Sequence, residues 1–251
     1  MRPTVAVAVV VRALLCGALA VGALAGCSGS GSGSGPTASA TSSPSTSYGT
    51  GPNGVEKLAP DDILAASQAA AKSASWVHMR GTQSGTTLDL TIGRDTASGT
   101  VTQDGLTAQL LAVDGTTYLK GDKAFWDNAS GQGSGDLLAG KWVVAGDTAG
   151  TDTYGLDTFT DVGRVFDSVL APSGSLTKGG TSTIDGQRAV ALVDATAGET
   201  LWVALDGPPY PVRIDPNVPT TDPPTFSDWN VPATIAPPPS SEVVDPTKLG
   251  G

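Results

Sequence analysis

Histidine, cysteine and basic residues are scarce in this chain. Of its 251 residues one is histidine and two are cysteine, and 14 lysines and arginines face 24 aspartates and glutamates. With His78 as the only imidazole, a serine nucleophile has one possible base and a multi-histidine metal centre is excluded. Both cysteines, Cys16 and Cys27, fall near the N-terminus. Sequence beyond them therefore carries no disulfide, thiolate metal site or cysteine nucleophile. The net charge of −10 repels nucleic acid and gives no polybasic attraction to anionic lipid headgroups. There is no EF-hand spacing, P-loop or dinucleotide fingerprint, so no cofactor is implied. Asn128-Ala129-Ser130 matches a glycosylation sequon, a pattern short enough to recur by chance.

No uninterrupted apolar run reaches the roughly 20 residues that a bilayer-spanning helix needs. What stands at the N-terminus is shorter: Arg2 and Arg12 ahead of the uncharged stretch Ala13 to Ala25, then small and polar residues. This order predicts a signal peptide over 1–26. Its end, Leu24-Ala25-Gly26-Cys27, resembles the lipobox of bacterial lipoproteins, which implies a diacylglyceryl group on Cys27. Two acyl chains hold a protein stably at a membrane where one holds it only marginally. Loss of Arg2 and Arg12 with the signal takes the net charge to −12, so an anchor and not charge would keep the chain at the outer, extracytoplasmic face.

Residues 28–54 contain no charge and one aromatic, Tyr48. Such a stretch cannot bury enough apolar surface to offset its chain entropy, and 27 residues give a tether of about 26–31 Å root-mean-square span. The lipidated cysteine and tether occupy 27–54, and a β-rich domain is expected over 55–251.

Within that domain, Pro60 followed by Asp61, Asp62 and an alanine-rich run predicts a helix over 60–73. Leu88, Leu90 and Ile92 then alternate with polar residues, as on one face of a strand. Asp104-Gly105, Asp114-Gly115 and Asp185-Gly186 punctuate β-favouring runs as hairpin turns. Between 156 and 170, Leu156, Phe159, Val162, Phe166, Val169 and Leu170 recur at helical spacing and predict an amphipathic helix. Strands are expected over 175–183, 188–194, 200–205 and 212–215. A proline-rich tail follows, of which Pro237 to Pro239 and 243–251 are expected to form an extended segment that packs on the outside of the sheet or frays. This order of elements predicts an α+β fold with helices against one face of a curved antiparallel sheet.

From about residue 56 the chain resembles the LppX/LprG-type lipoproteins of actinobacteria and, more distantly, the LolA/LolB carriers. The segments that carry the resemblance are Leu119 to Trp126, Leu138 to Val143, Leu176 to Gly180, Leu201 to Ala204, Pro209 to Ile214 and Phe226 to Asn230. The resemblance implies a half-open antiparallel β-barrel of LolA-like type, helices on its concave face, and a cavity for acyl chains of lipids or lipoproteins. It implies a carrier and not a catalyst; association with the membrane through the Cys27 anchor and a monomeric state are separate expectations. An envelope sensor or assembly module with the same fold and a closed interior is the alternative.

Side chains expected to line such a cavity are Leu88, Leu90, Ile92, Leu110, Phe159, Val162 and Phe166, with Phe125 and Trp126 near a mouth. Core packing accounts for an aliphatic stripe equally well. Small residues at Ala108, Ala112, Ala189 and Ala191 either leave room inside a curved sheet or face solvent. Trp126, Trp142, Trp202 and Trp229 suggest a ligand platform or core cover. His78 reads as a half-exposed strand residue. Asp61 with Asp62, and Asp122 with Asp127, are minor calcium candidates, although turn and helix-start chemistry explains such aspartates too. No catalytic or metal residue is assigned.

Overall fold

The computed structural model describes residues 49–83, 85–145 and 159–245. The signal peptide, Cys27 and most of the tether lie outside the described residues. Among those described, four helices accompany twelve strands. The helices are α1 (Pro60–Ser73), α2 (Lys123–Ser130), α3 (Ser134–Leu138) and α4 (Val162–Val169). The first six strands are β1 (Val77–Gln83), β2 (Thr86–Ile92), β3 (Ala97–Gln103), β4 (Leu106–Val113), β5 (Thr116–Gly121) and β6 (Trp142–Val144). The remainder are β7 (Leu176–Ile184), β8 (Gln187–Asp194), β9 (Glu199–Ala204), β10 (Pro211–Asp215), β11 (Thr225–Ser227) and β12 (Val243–Val244).

All twelve strands join one open sheet in the order β12-β6-β5-β4-β3-β2-β1-β11-β10-β9-β8-β7. Pairing is antiparallel throughout except for β12, which runs parallel to β6. The strands form two meanders, β1–β6, with α2 and α3 inserted between β5 and β6, and β7–β10; three of their hairpins close on Asp-Gly turns. At Asp104-Gly105, Asp114-Gly115 and Asp185-Gly186 both residues have φ between 50° and 83°, the type I′ geometry that matches strand twist and that aspartate and glycine tolerate.

The tail after residue 215 joins the sheet at two places, although 243–251 is expected only to pack outside it or fray. Its Thr225–Ser227 enters the sheet as β11 and is the one strand joining the two meanders, with Met79 opposite Phe226 on one side and Arg213 opposite Thr225 on the other. Gly81 lets the tail pass, since a Cβ there would stand 2.5 Å from the Pro223 carbonyl oxygen. Val243–Val244 extends the other end of the sheet as β12.

The helix at 60–73 forms as expected, with Pro60 and two aspartates in its first turn. Its last carbonyls, on Lys72 and Ser73, accept from the Arg94 guanidinium. The second expected helix is shorter than its periodicity suggests. Asp161 caps it by accepting from the Arg164 N–H at 3.0 Å, so α4 begins at Val162; residues 156–158 lie outside the described residues. Helix α2 was not foreseen, and it starts where the Asp122 carboxylate accepts from the Phe125 N–H.

One row of inward side chains crosses the first meander, running Met79, Leu90, Gly99, Leu110, Leu119, Val143. All five side-chain-bearing members are buried. On the opposite face of the second meander, Ile184, Ala189, Ala204 and Val212 form a separate apolar cluster beside Trp202. Ala189 and Ala191 therefore do not make room inside the curve: they alternate with Val190 and Leu192, which belong to the main core. Ala112 does belong to that core.

Candidate functional site

The residues expected to line a cavity converge. Leu88, Leu90 and Ile92 of β2, Leu110 of β4, Phe159 ahead of α4, Val162 and Phe166 on α4, and Trp126 on α2 are all buried in one cluster, with Phe125 half-buried against it. Ile63 and Leu64 of α1 close the cluster from the helix side. Phe166 meets Phe226 and Trp229 with ring centroids 5.1 Å apart in each case, and Trp229 stacks on Tyr210 at 4.2 Å. Phe125 lies edge-on to Trp126 at 5.0 Å. The Trp126 indole N–H is buried without a hydrogen-bond partner.

Beside this cluster, between α1, the end of α4 and strands β7–β10, is a cleft of about 50 Å³. Leu64, Leu170, Leu176, Leu192, Leu201 and Ile214 are its apolar lining, and Asp194 and Glu199 lie on its wall. None of the nine residues singled out from the sequence lines it. Val190 with Leu192, and Leu201 with Val203, share one strand face at period two, but no local signal says which helix that face meets. Two contacts tie the helices over the cleft: Gln68 donates to the Leu170 carbonyl at 3.0 Å, and Lys72 pairs with Asp167.

Asp194 shapes one wall of the cleft. Burial alone pushes its carboxyl upward, but backbone N–H donors from Ala197, Ser173, Thr196 and Gly174 outweigh that and hold it below the usual carboxylate range. It is a strut for the loop after α4, with its acceptor capacity spent on backbone.

The other polar candidates also take structural parts. Asp122 caps α2. Asp127 accepts from the Gly133 and Gly135 N–H groups at 2.9 Å and pairs with Lys123, which binds the α2–α3 turn. The Gly135 N–H chiefly holds its carboxyl low, and the Lys123 ammonium and Gly133 N–H add enough to outweigh the opposing effect of burial. Asp61 and Asp62 stand in the first turn of α1. Among the described residues no group of three or more His, Cys, Asp or Glu is placed to hold a metal. The tryptophans make no common platform: Trp126 and Trp229 pack with the main core, Trp142 lies under Lys120, and Trp202 donates to Asp215 on the opposite face. His78 is half-buried on β1 against Asp89 of β2. No described helix is long and apolar enough to cross a membrane.

A more open groove of about 370 Å³ lies at the strand-turn end, between Trp76, Arg94, Val113, Asp114 and the tail residues Ala233 and Ile235.

No family model and no curated protein matches this chain. Twelve chains of solved structures do. One of them is the Mycobacterium tuberculosis lipoprotein LppX, at 19% identity and a TM-score of 0.43, over 70% of this chain and 99% of that one. This is a distant likeness and sets no family.

Proposed function

We propose that this chain is a lipid-anchored, extracytoplasmic envelope protein that takes up the acyl chain of a lipid or acylated molecule between its helices and its sheet. In this reading Cys27 carries the anchor, residues 28–54 are the tether, and 55–251 form the binding domain. The observation that supports it is the leucine-lined cleft under α1 and α4. An acyl chain gains about 25 cal/mol per Å² of apolar area removed from water and needs no catalytic group to hold it. At about 50 Å³ the cleft is far smaller than the roughly 300–1,000 Å³ of a ligand pocket. Uptake therefore requires α1 and α4 to part from β7–β10, extending the cleft into the cluster around Phe166 and Leu90.

A second reading has its own support. The nine expected lining residues pack on one another, which suits a sensor or assembly module with a closed interior.

One experiment separates the two. The secreted chain with Cys27→Ser, which lacks its own lipid, is purified without detergent and weighed by native mass spectrometry before and after organic extraction. Near-stoichiometric acyl-bearing adducts are expected, and Ala171→Trp, which fills the cleft from its exposed rim, should remove them. Protein that is empty and also fails to take up added fatty acid would leave the module.

A further inference from the structure

Helix α1 turns Ile63, Leu64, Ser67, Ala70 and Ala71 inward. Ser67 alone of these is polar. It has no exposed surface, and its Oγ has no hydrogen-bond partner among the described residues. A helical serine can donate to a carbonyl three or four residues back, as Ser73 does to the Ala70 carbonyl at 2.7 Å at the end of the same helix. Ser67 does not take that outlet. Nor does packing call for the hydroxyl: Ala70 and Ala71 fill the same face, and alanine at 67 would favour the helix and strand no polar group. A buried donor that the fold neither needs nor satisfies is provision for an acceptor brought from outside.

The position of Ser67 indicates which acceptor. Leu64, three residues earlier on the same helix face, lines the cleft. Gln68, the next residue, donates to the carbonyl of Leu170, which lines the cleft from the end of α4. From Leu64 onward α1 leads towards Arg94, just beyond β2, whose guanidinium holds the last carbonyls of the helix. Ser67 therefore stands one turn inside the present wall, on the side where the cleft must lengthen to reach Leu90. Resting on the reading of the cleft as an acyl site, we propose that the Ser67 hydroxyl donates to the carbonyl oxygen of the bound acyl group, with the hydrocarbon beyond it and the remainder of the ligand leaving through the cleft. The charged residues of the lining, Asp194 and Glu199, are both acidic, so a phosphate meets no counter-charge there. An ester or amide carbonyl is neutral and needs only one donor. Ser67 thus fixes how deep the chain is drawn in.

The test compares two ligands of equal carbon number, methyl palmitate and heptadecane, of which only the first has a carbonyl. Each is delivered from cyclodextrin to the delipidated chain with Cys27→Ser, and occupancy is followed by native mass spectrometry over a concentration series. Ser67→Ala should weaken methyl palmitate about 3–10-fold, the worth of one neutral hydrogen bond, and leave heptadecane unchanged. The Tm of the empty variant should equal or exceed that of its parent, since a stranded hydroxyl has gone. If the parent takes up neither ligand, the acyl reading falls and this contact with it. If the parent binds methyl palmitate and Ser67→Ala either leaves that binding unchanged or weakens both ligands alike, the contact alone is overturned. A lower Tm of the empty variant also overturns it, because the hydroxyl would then have a partner already.

Discussion

The Asp194 carboxylate accepts from the Ser173 N–H at 2.7 Å and so bolts the loop after α4 to the β8–β9 turn. Three more backbone N–H groups share the same side chain. Asp194→Ala should cost about 1–2 kcal/mol at neutral pH, since four backbone N–H groups lose a charged acceptor, although water can reach most of them. The sign of the pH effect follows from the lowered carboxyl: its contribution is present above the unfolded carboxylate range near pH 3.9 and is lost as pH falls through the folded value. Urea unfolding of both proteins across pH 7 to pH 2 should show the difference shrinking on the acid side only.

Gly99 should tolerate no side chain. It has φ +152°, and a Cβ there would stand 2.0 Å from the Asp89 carbonyl oxygen. Gly99→Ala must displace backbone in the middle of the sheet and should cost about 3 kcal/mol or more. Gly105→Ala meets no atom and strains only its φ of +77°, a loss of about 1–2 kcal/mol. Equal shifts of the urea midpoint in the two variants would contradict this ranking.

At Trp126 the indole N–H and the ring volume pull in opposite directions. Trp126→Phe deletes a buried donor that has no partner while giving up some packing, and should change stability by about 1 kcal/mol or less. Trp126→Ala leaves a cavity and should cost about 3–5 kcal/mol. Thermal unfolding of the pair measures the difference.

Phe166→Ala should cost about 3–5 kcal/mol and also change Trp229 emission, because the two rings are 5.1 Å apart. Loss of stability with an unaltered emission spectrum would mean that the aromatic stack does not depend on α4.

Much of the fold was legible because its signals are local. Pro60 with its two aspartates marks a helix start, Leu88 to Ile92 alternate at strand period, and three Asp-Gly pairs fold as type I′ turns. The second helix was overextended because apolar spacing alone cannot see the Asp161 cap, although Asp161 is itself a helix-start residue. Asp122 would have flagged α2 in the same way. Strand β11 offered no such signal: three residues carry no periodicity, and on one side their partner is β1, more than a hundred residues earlier. The cleft was illegible for that reason, since its lining comes from α1, the end of α4 and four strands of the second meander. Cluster membership of the nine core residues was readable; what they serve was not.

The order in which the chain is made gives the joining strand a temporal meaning. β1 is complete at residue 83, and its second neighbour is not made until residue 225. At synthesis rates of about 5–20 residues per second, one edge of the first meander waits roughly 7–28 s for its partner. Through that interval the nascent protein presents an unpaired β edge, so truncation between Asp215 and Thr225 should yield insoluble product even though both meanders are intact.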